Sequence, residues 1–285
     1  MKHLLYVLMV FIVSFSLVAC GAEQPENGDG QQGSGTEQDG EQQTEDGEDL
    51  SLYEAILEEG ELRIGTEGTY PPFTYRDRET GELTGFDVEI AREVAERLGV
   101  TATFNETQWD AMFAGLDAER FDMVANQVGI RPDREEKYSF SNPYITSSAV
   151  LVTHVENDHV QGFEDIEGLT SAQSMTSNFA DIAKAYGADI ESVEGFNQAV
   201  ELLVTKRVDV TINDRLSVLD FLNEREDAPV HIVAREEEAS QSGLMFRQNG
   251  TEELVEAVNQ ALEDMMEDGT YLEISEKWFG EDVSQ

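Results

Sequence analysis

Cysteine, histidine and positive charge are all scarce in this chain of 285 residues, which has one Cys and four His. A single Cys excludes an internal disulfide, and so few thiolate and imidazole groups leave little material for a site that binds a soft metal ion. Lys and Arg together number 18, against 60 Asp and Glu. Because such a surface repels phosphate backbones, nucleic acid is a poor partner.

Long apolar runs are confined to the N-terminus. Lys2 and His3 precede an apolar run from Leu4 to Val18 that only two serines interrupt. The run is short for a spanning helix and stands at the start of the chain, which predicts a signal peptide over residues 1–20. No second run of spanning length follows, which argues against a receptor that passes through the membrane.

The signal segment closes on Leu17-Val18-Ala19-Cys20, a tetrad that resembles the lipobox of bacterial lipoproteins. The resemblance implies that Cys20 becomes the lipidated first residue of the mature chain, with its acyl chains in a membrane surface. An ordinary signal peptide with a chance Cys is the alternative.

Acidic residues dominate the composition and give a formal net charge of −42 with a pI near 4.1. Such a surface repels itself unless salt screens it. We therefore expect a saline or alkaline habitat, with the folded part outside the cytoplasm; an acidic secreted protein without that adaptation is the alternative.

Residues 21–49 are rich in Glu, Asp, Gln and Gly, with one Pro and no aromatic residue, Lys or Arg. Such a segment cannot bury enough apolar surface to offset the entropy of ordering it. We expect an acidic disordered tether that gives the folded part reach above the membrane.

From Leu50 onward, strand-like and helix-like patterns alternate. The first set predicts strands at 61–66, 100–105 and 121–125 with helices at 86–98 and 109–116. The second set predicts strands at 149–153, 170–174, 208–212 and 230–234 with helices at 178–186, 197–204 and 216–222, before two final helices. This order indicates an α/β protein with parallel sheets whose faces the helices cover.

Ligands of open parallel sheets bind beyond the carboxyl ends of the strands. Four segments follow predicted strands: Glu67–Phe73, Asn126–Arg134, Met175–Ser177 and Asn213–Asp214. We therefore search them first for site residues.

Five segments follow one another along the chain: Gly65-Thr-Glu-Gly-Thr-Tyr-Pro-Pro-Phe73, Leu83-Thr-Gly-Phe-Asp87, Phe121-Asp122 through Asn126-Gln127, Tyr138-Ser-Phe-Ser-Asn-Pro-Tyr144 and Glu276-Lys-Trp-Phe-Gly280. In this unbroken order they resemble the family-3 solute-binding proteins, the polar amino-acid receptors of ATP-driven importers. The match runs from about Leu62 to Val283. Trp109-Asp110, Asn126-Gln127-Val128 and Ser275–Gly280 resemble the cystine-binding branch in particular.

The resemblance implies a two-lobed periplasmic-binding-protein-like fold of type II, with two mostly parallel sheets joined by a two-strand hinge. Lobe 1 is expected over 50–148 and 243–285, and lobe 2 over 149–242. The implied function is a monomeric receptor that captures an amino acid by hinge closure and delivers it to the permease subunits of an ABC importer. It needs no cofactor and performs no catalysis.

A free amino acid is a zwitterion, so a site that excludes water must meet both of its charged ends. A carboxylate suits a bidentate guanidinium, and the resemblance implies that Arg134 supplies it. In the family's Thr-x-x-Arg-type motif the first position is here Arg131, which leaves two candidate arginines. Arg134 keeps the family's spacing ahead of Tyr138 and Phe140. A surface arginine is the alternative for either.

Helix N-termini also hold carboxylates through free N–H groups. Thr176 and Ser177 stand at such a helix start, and the resemblance implies this role, with a plain helix cap as the alternative. Glycine is usual in the family where Met175 stands. For the ammonium, the resemblance implies Asp214 and Glu67, and a helix N-cap is the alternative for Asp214.

The remaining expected site residues are less polar or act through their backbone. The rings of Tyr70 and Trp109 match positions that flank the ligand side chain, with core packing as the alternative. Asn126, Gln127 and Gly129 are expected to line the site, mainly by backbone contacts.

Two other functions remain open at this point. Some secreted dehydratases that act on arogenate or prephenate resemble these receptors, and Glu67 in a dry pocket could then act as a general acid. A structural surface lipoprotein with a degenerate pocket is the third alternative. Among amino acids, cystine, cysteine, glutamine or a basic one fits the expected clamp.

Overall fold

The computed structural model describes residues 50–284. The predicted signal peptide, the lipidation site at Cys20 and the tether lie outside the described residues. Within the described part, no helix is long and apolar enough to cross a bilayer.

Strands and helices alternate along the described chain. The strands are β1 (Glu61–Thr66), β2 (Thr69–Tyr70), β3 (Thr74–Arg76), β4 (Leu83–Thr84), β5 (Thr101–Glu106), β6 (Met123–Val124), β7 (Tyr138–Phe140), β8 (Ile145–Ser147), β9 (Ala149–His154), β10 (Thr170–Gln173), β11 (Asp189–Ser192), β12 (Val210–Asp214), β13 (Val230–Arg235), β14 (Ser240–Ser242) and β15 (Met245–Arg247). The helices are α1 (Leu52–Glu59), α2 (Phe86–Arg97), α3 (Trp109–Asp117), α4 (Pro132–Glu135), α5 (Asn178–Ala185), α6 (Phe196–Val204), α7 (Arg215–Glu224), α8 (Glu252–Asp268) and α9 (Thr270–Phe279).

Lobe 1 is built on a five-stranded sheet with the order β5-β1-β6-β15-β7. The pairs β1–β5 and β1–β6 are parallel, and β15 runs antiparallel between β6 and β7. Four of the five strands therefore point the same way. The α2 face predicted from helical spacing is buried, with Phe86, Ile90 and Val94 each fully enclosed beside Leu62 and Ile64 of β1.

Lobe 2 repeats this plan with the order β11-β10-β12-β9-β13. The pairs β10–β11 and β10–β12 are parallel, and β9 is the one reversed strand between β12 and β13. All six residues of β9 are buried, as expected for a central strand covered on both faces.

The chain passes from lobe 1 to lobe 2 through β8 and returns through β14. These two strands pair antiparallel, with Ile145 opposite Ser242 and Ser147 opposite Ser240. The prediction of two mostly parallel sheets joined by a two-strand hinge is confirmed. The sequence patterns did not predict α1, β11 or the short strands β2, β3, β4, β7 and β8.

Candidate binding site

A cavity lies where the carboxyl ends of the strands in both lobes face each other. Lobe 1, lobe 2 and the hinge strand β14 all contribute to its wall. The lining residues are Glu67, Tyr70, Trp109, Asn126, Gln127, Gly129, Ala172, Gln173, Ser174, Ser177, Asn178, Phe179, Val193, Gly195, Phe196, Ala199, Asn213, Asp214, Ser240 and Ser242. Eight of the ten residues predicted for the site are in this set; Arg134 and Thr176 are not.

Glu67 and Asn126 form a reciprocal pair on the lobe 1 side. They follow β1 and β6, which pair in parallel, so both residues leave the sheet at the same edge. The amide of Asn126 donates to Oε2 of Glu67 at 2.7 Å, and the Glu67 N–H donates to Oδ1 of Asn126 at 2.7 Å. Burial raises the pKa of Glu67 to about 7, partly opposed by the bond from Asn126. This carboxylate is therefore primed to ionise fully beside a cation.

Asp214 supplies the second carboxylate, from the end of β12 in lobe 2. Its Oδ1 accepts from the N–H of Leu216 at 2.8 Å and from the hydroxyl of Ser147 at 3.0 Å. Asp214 therefore caps α7 and lines the cavity at the same time. Burial raises its pKa to about 6, so it too gains from a neighbouring cation.

The N-terminal ends of three lobe 2 helices reach the cavity. Ser177 caps α5, Gly195 precedes α6 and Asp214 caps α7. The hydroxyl of Ser177 accepts from the N–H of Ala180 at 3.1 Å, as the cap alternative anticipated. Helix N-termini favour negative charge, so this wall suits the carboxylate of a ligand.

Thr176 lies outside the cavity wall, and Asp110 of lobe 1 binds it. Oδ1 of Asp110 accepts from the Thr176 N–H at 3.0 Å and from its hydroxyl at 2.7 Å. Oδ2 of Asp110 accepts from the N–H of Met175 at 3.3 Å. The N–H predicted for a ligand carboxylate is therefore engaged by a protein carboxylate across the lobes.

Arg134 lies directly behind the cavity wall and is 5% exposed. Its guanidinium donates to the carbonyl of Gly129 at 3.0 Å and to that of Thr176 at 3.4 Å, and it lies over the ring of Trp109 at 5.4 Å. Burial lowers its pKa to about 10. Arg131, the other candidate, instead pairs with carboxylates at the surface.

The two predicted aromatic residues line the cavity and are nearly buried. The hydroxyl of Tyr70 donates to Oδ1 of Asn213 at 2.7 Å, which joins the two lobes. The ring of Tyr70 packs edge-on against Phe196 at 6.4 Å between centroids. Trp109 packs edge-on against Phe113 at 5.4 Å. Both rings are thus part of the packed core as well as of the wall.

The sequence patterns missed a stretch of the lobe 2 wall formed by Val193, Gly195 and Phe196. This stretch follows β11, and a search beyond strand ends overlooked it because β11 was not predicted. The strand β11 was not predicted because three of its four residues are exposed, so its sequence has no apolar alternation. Asn213, also missed, stands beside the predicted Asp214.

The cavity wall carries negative charge. Among the described residues that line the cavity, the side chains that can be charged near neutral pH are two carboxylates, with no lysine or arginine. Within residues 50–284, no group of three or more His, Cys, Asp or Glu side chains could hold a metal ion. The site suits a small zwitterion or cation that brings its own positive charge.

Comparison with known proteins identifies the family to which the chain is similar. The family model of bacterial extracellular solute-binding proteins, family 3, matches residues 62–281. The L-cystine-binding protein TcyA of Bacillus subtilis is 46% identical over 285 residues, all of both chains. These relatives are named as binding proteins, which supports a receptor over a dehydratase.

Two solved structures of similar proteins differ in how well they superpose on this chain. The L-cystine solute receptor of Neisseria gonorrhoeae, in its unliganded open conformation, is 46% identical over 83% of this chain and 100% of its own, with a TM-score of 0.55. An ancestral arginine-binding protein bound to arginine is only 33% identical over 77% of this chain and 98% of its own, yet its TM-score is 0.73. Hydrogen bonds from Tyr70 to Asn213 and from Thr176 to Asp110 join the two lobes across the cavity, so the lobes are in a closed arrangement. The lower TM-score to the open receptor agrees with this. Because the family model matches most of the chain, from residue 62 to residue 281, the chain belongs to the bacterial extracellular solute-binding proteins of family 3.

Proposed function

We propose that this receptor binds L-cystine or another polar amino acid in the inter-lobe cavity and delivers it to the permease subunits of an ABC importer. The observation that carries the proposal is that the cavity offers polar partners for both charged ends of a zwitterion. Glu67 and Asp214 offer carboxylates to an ammonium group, while the start of α5 offers N–H groups to a carboxylate.

The names of the relatives narrow the ligand. TcyA and the gonococcal receptor are both described as binding L-cystine. Cystine is a long molecule with a disulfide between two zwitterionic ends, and the rings of Tyr70, Trp109, Phe179 and Phe196 provide apolar surface for its middle. We propose cystine as the first ligand to test.

Arg134 is proposed to bind the ligand carboxylate from behind Gly129. Its guanidinium now donates to two backbone carbonyls, which are neutral acceptors. A ligand carboxylate in their place would form stronger, charge-assisted hydrogen bonds.

The molecule is also proposed to be anchored at the outer face of the cell membrane. In this proposal residues 1–20 are a lipoprotein signal peptide, Cys20 carries lipid and residues 21–49 form the tether. Lobe 1 then covers 50–148 and 243–285, and lobe 2 covers 149–242. Mass spectrometry of the mature N-terminus tests the anchor: a diacylglycerol mass on Cys20, absent after Cys20→Ser, is the expected result, and an unmodified N-terminus contradicts it.

Ligand identity is tested on the purified chain in two steps. Mass spectrometry of small molecules released by denaturation identifies what co-purifies. Calorimetry then compares L-cystine with cysteine, glutamine, arginine and glutamate, and thermal shift confirms that binding stabilises the fold. We expect cystine to bind most tightly. A chain that binds none of these amino acids contradicts the proposal.

A further inference from the structure

We propose that Asp87 is a positioning residue for the ligand cavity: its buried carboxylate fixes the cavity-lining turn at Gln127 and ties that turn to the hinge through Tyr144. Asp87 does not itself line the cavity. The inference rests on the proposed function and adds to it a residue that acts through its neighbours.

The Asp87 carboxylate accepts three hydrogen bonds, from Gln127 and Tyr144. Its side chain is fully buried. Oδ2 accepts from the backbone N–H of Gln127 at 2.8 Å, and Oδ1 accepts from the side-chain amide of Gln127 at 2.7 Å. Oδ1 also accepts from the hydroxyl of Tyr144 at 2.9 Å. One carboxylate therefore holds both the backbone and the side chain of a cavity residue.

Gln127 needs such a restraint because its backbone is left-handed, with φ of 52°. Residues other than glycine rarely adopt this conformation, and it persists where surrounding contacts enforce it. Within residues 50–284 the other non-glycine residues with positive φ are Glu119 and Lys206, both exposed. Gln127 is the one at the cavity, and Asp87 supplies the enforcing contacts.

The turn at Gln127 sets the residues on either side of it. Asn126 comes directly before and holds Glu67 by two hydrogen bonds. Gly129 comes two residues later, and its carbonyl accepts from Arg134. If the turn relaxes to an ordinary backbone conformation, the ammonium side and the carboxylate side of the proposed site both move.

The second arm of the network reaches the hinge. Tyr144 directly precedes β8, the strand that leads into lobe 2, and its ring stacks on Phe86 with 6.0 Å between centroids. The hydroxyl of Tyr271 donates to the Tyr144 carbonyl. Asp87 thus links the cavity turn to the base of a hinge strand within one hydrogen-bonded unit.

The position of Asp87 is fixed by its own backbone. Gly85 before α2 has φ of 131°, and a Cβ there would come within 2.2 Å of the Phe73 carbonyl oxygen. That carbonyl accepts from the N–H of Asp87 at 2.9 Å. The close approach of these two segments, possible only with glycine, places the Asp87 side chain under the cavity.

The charge balance also favours a role beyond packing. Within residues 50–284, the hydrogen-bond donors to Asp87 are two N–H groups of Gln127 and the hydroxyl of Tyr144, all of them neutral. Burial raises the pKa of Asp87 to about 7. Burial makes ionisation of this carboxyl group costly, and its three hydrogen bonds offset part of that cost while they fix the geometry of Gln127.

The test compares Asp87→Asn with Asp122→Asn in the full chain. Asp122 is a matched control, since it is also a buried aspartate of lobe 1 but does not line the cavity. Its carboxylate accepts hydrogen bonds of 3.0 and 3.1 Å from Arg63. We expect Asp87→Asn to raise the Kd for cystine about tenfold or more, the scale of hydrogen bonds to a charged group. Asp122→Asn should lower the melting temperature and leave Kd unchanged.

A rescue variant separates positioning from general damage. In Asp87→Asn/Gln127→Glu the donor and acceptor exchange places, because the new amide can donate to the new carboxylate. We expect this double variant to bind more tightly than Asp87→Asn alone. Equal Kd values for wild type and Asp87→Asn, or no rescue, would overturn the inference.

Two further measurements cover a failure to fold and a failure of the proposed function. If Asp87→Asn is unfolded, Gln127→Ala and Tyr144→Phe can be measured instead. Each removes one side-chain hydrogen bond to Asp87, and both should raise the Kd for cystine. Amide hydrogen exchange at residues 126–129 needs no ligand and should accelerate in Asp87→Asn but not in Asp122→Asn. Unchanged exchange refutes the positioning role, whereas a wild type that binds no amino acid refutes only the proposed function.

Discussion

The hydroxyl of Tyr70 in lobe 1 donates a 2.7 Å hydrogen bond to Oδ1 of Asn213 in lobe 2, across the cavity wall. Two neighbouring bonds support it: the Asn197 amide donates to the Thr69 carbonyl at 2.8 Å, and the Ser217 hydroxyl donates to a carbonyl of the same lobe 1 loop at 2.7 Å. This loop therefore fastens the lobes in the closed arrangement, independently of the ligand's own contacts.

Removing that hydroxyl should loosen the closed state. We expect Tyr70→Phe to weaken ligand binding by about 1 kcal/mol, the usual net value of one hydrogen bond, mainly through faster release. Stopped-flow fluorescence measures the release rate. Tyr138→Phe is the control, since its hydroxyl bonds Asp117 outside the cavity wall. Identical release rates for Tyr70→Phe and wild type would contradict the role of this contact.

The two candidate arginines are distinguishable by substitution. Arg134→Ala should abolish measurable binding, because a buried ligand carboxylate would lose its charged partner. The fold should survive, as judged by circular dichroism. Arg131→Ala removes surface ion pairs with Asp133 and Asp181 and should change binding little. The reverse ranking would assign the carboxylate to Arg131.

Asp214→Asn tests the ammonium contact in lobe 2. Asparagine keeps the cap on α7, because its side-chain oxygen can still accept from the Leu216 N–H. We therefore expect a stable protein whose affinity falls by about 2–5 kcal/mol, measured by calorimetry. Asp209→Asn, at a carboxylate that accepts from the Thr170 N–H, is the control. Unaltered affinity in Asp214→Asn would leave only the capping role.

The buried carboxylates predict a pH dependence with a definite sign. Burial raises the pKa of Glu67 and Asp87 to about 7 and that of Asp214 to about 6. Because these folded-state values exceed the unfolded ones, the ligand-free fold holds extra protons, and their stabilising contribution is lost as pH rises from about 4 to about 7. Thermal unfolding between pH 5 and pH 8 measures it, and Glu67→Gln should reduce the slope.

The same groups make ligand binding depend on pH in the opposite direction. An ammonium group favours ionised Glu67 and Asp214, so binding should release protons and weaken as pH falls below about 7. Calorimetry in two buffers of different ionisation enthalpy counts the protons. Proton uptake instead of release would contradict the assignment of these carboxylates to the ammonium.

Salt should stabilise this chain. With a formal net charge of −42, self-repulsion opposes the compact state until counterions screen it. We expect the unfolding midpoint to rise from low salt to molar NaCl. An uncharged osmolyte at matched osmolality is the control. A midpoint that stays flat over this range would contradict adaptation to a saline or alkaline habitat.

Local sequence patterns predicted the central strands and the longer helices well. The buried faces of α2 and α8 follow from apolar residues at helical spacing, and the start of β1 follows from its alternation. The last three residues of β1 are all buried, because helices cover both faces of the sheet at that end. The strands that were missed, such as β11 and β8, are short and partly exposed, so their residues carry no apolar alternation. Their pairing depends on distant strands that a local pattern does not contain.

The sequence by itself determined the alternation of strands and helices, the family and eight of the residues that line the cavity, because position after a strand and motif order are properties of the chain. The tertiary structure decided what the lobes do to one another. It brought Gly195 and Phe196 into the wall, engaged Thr176 with Asp110, and set Arg134 behind Gly129. The contact of Thr176 with Asp110 joins residues 66 positions apart in different lobes, so only the closed arrangement of the lobes fixes its distance. Arg134 and Gly129 are five residues apart in lobe 1, and their contact depends on how the chain turns between them.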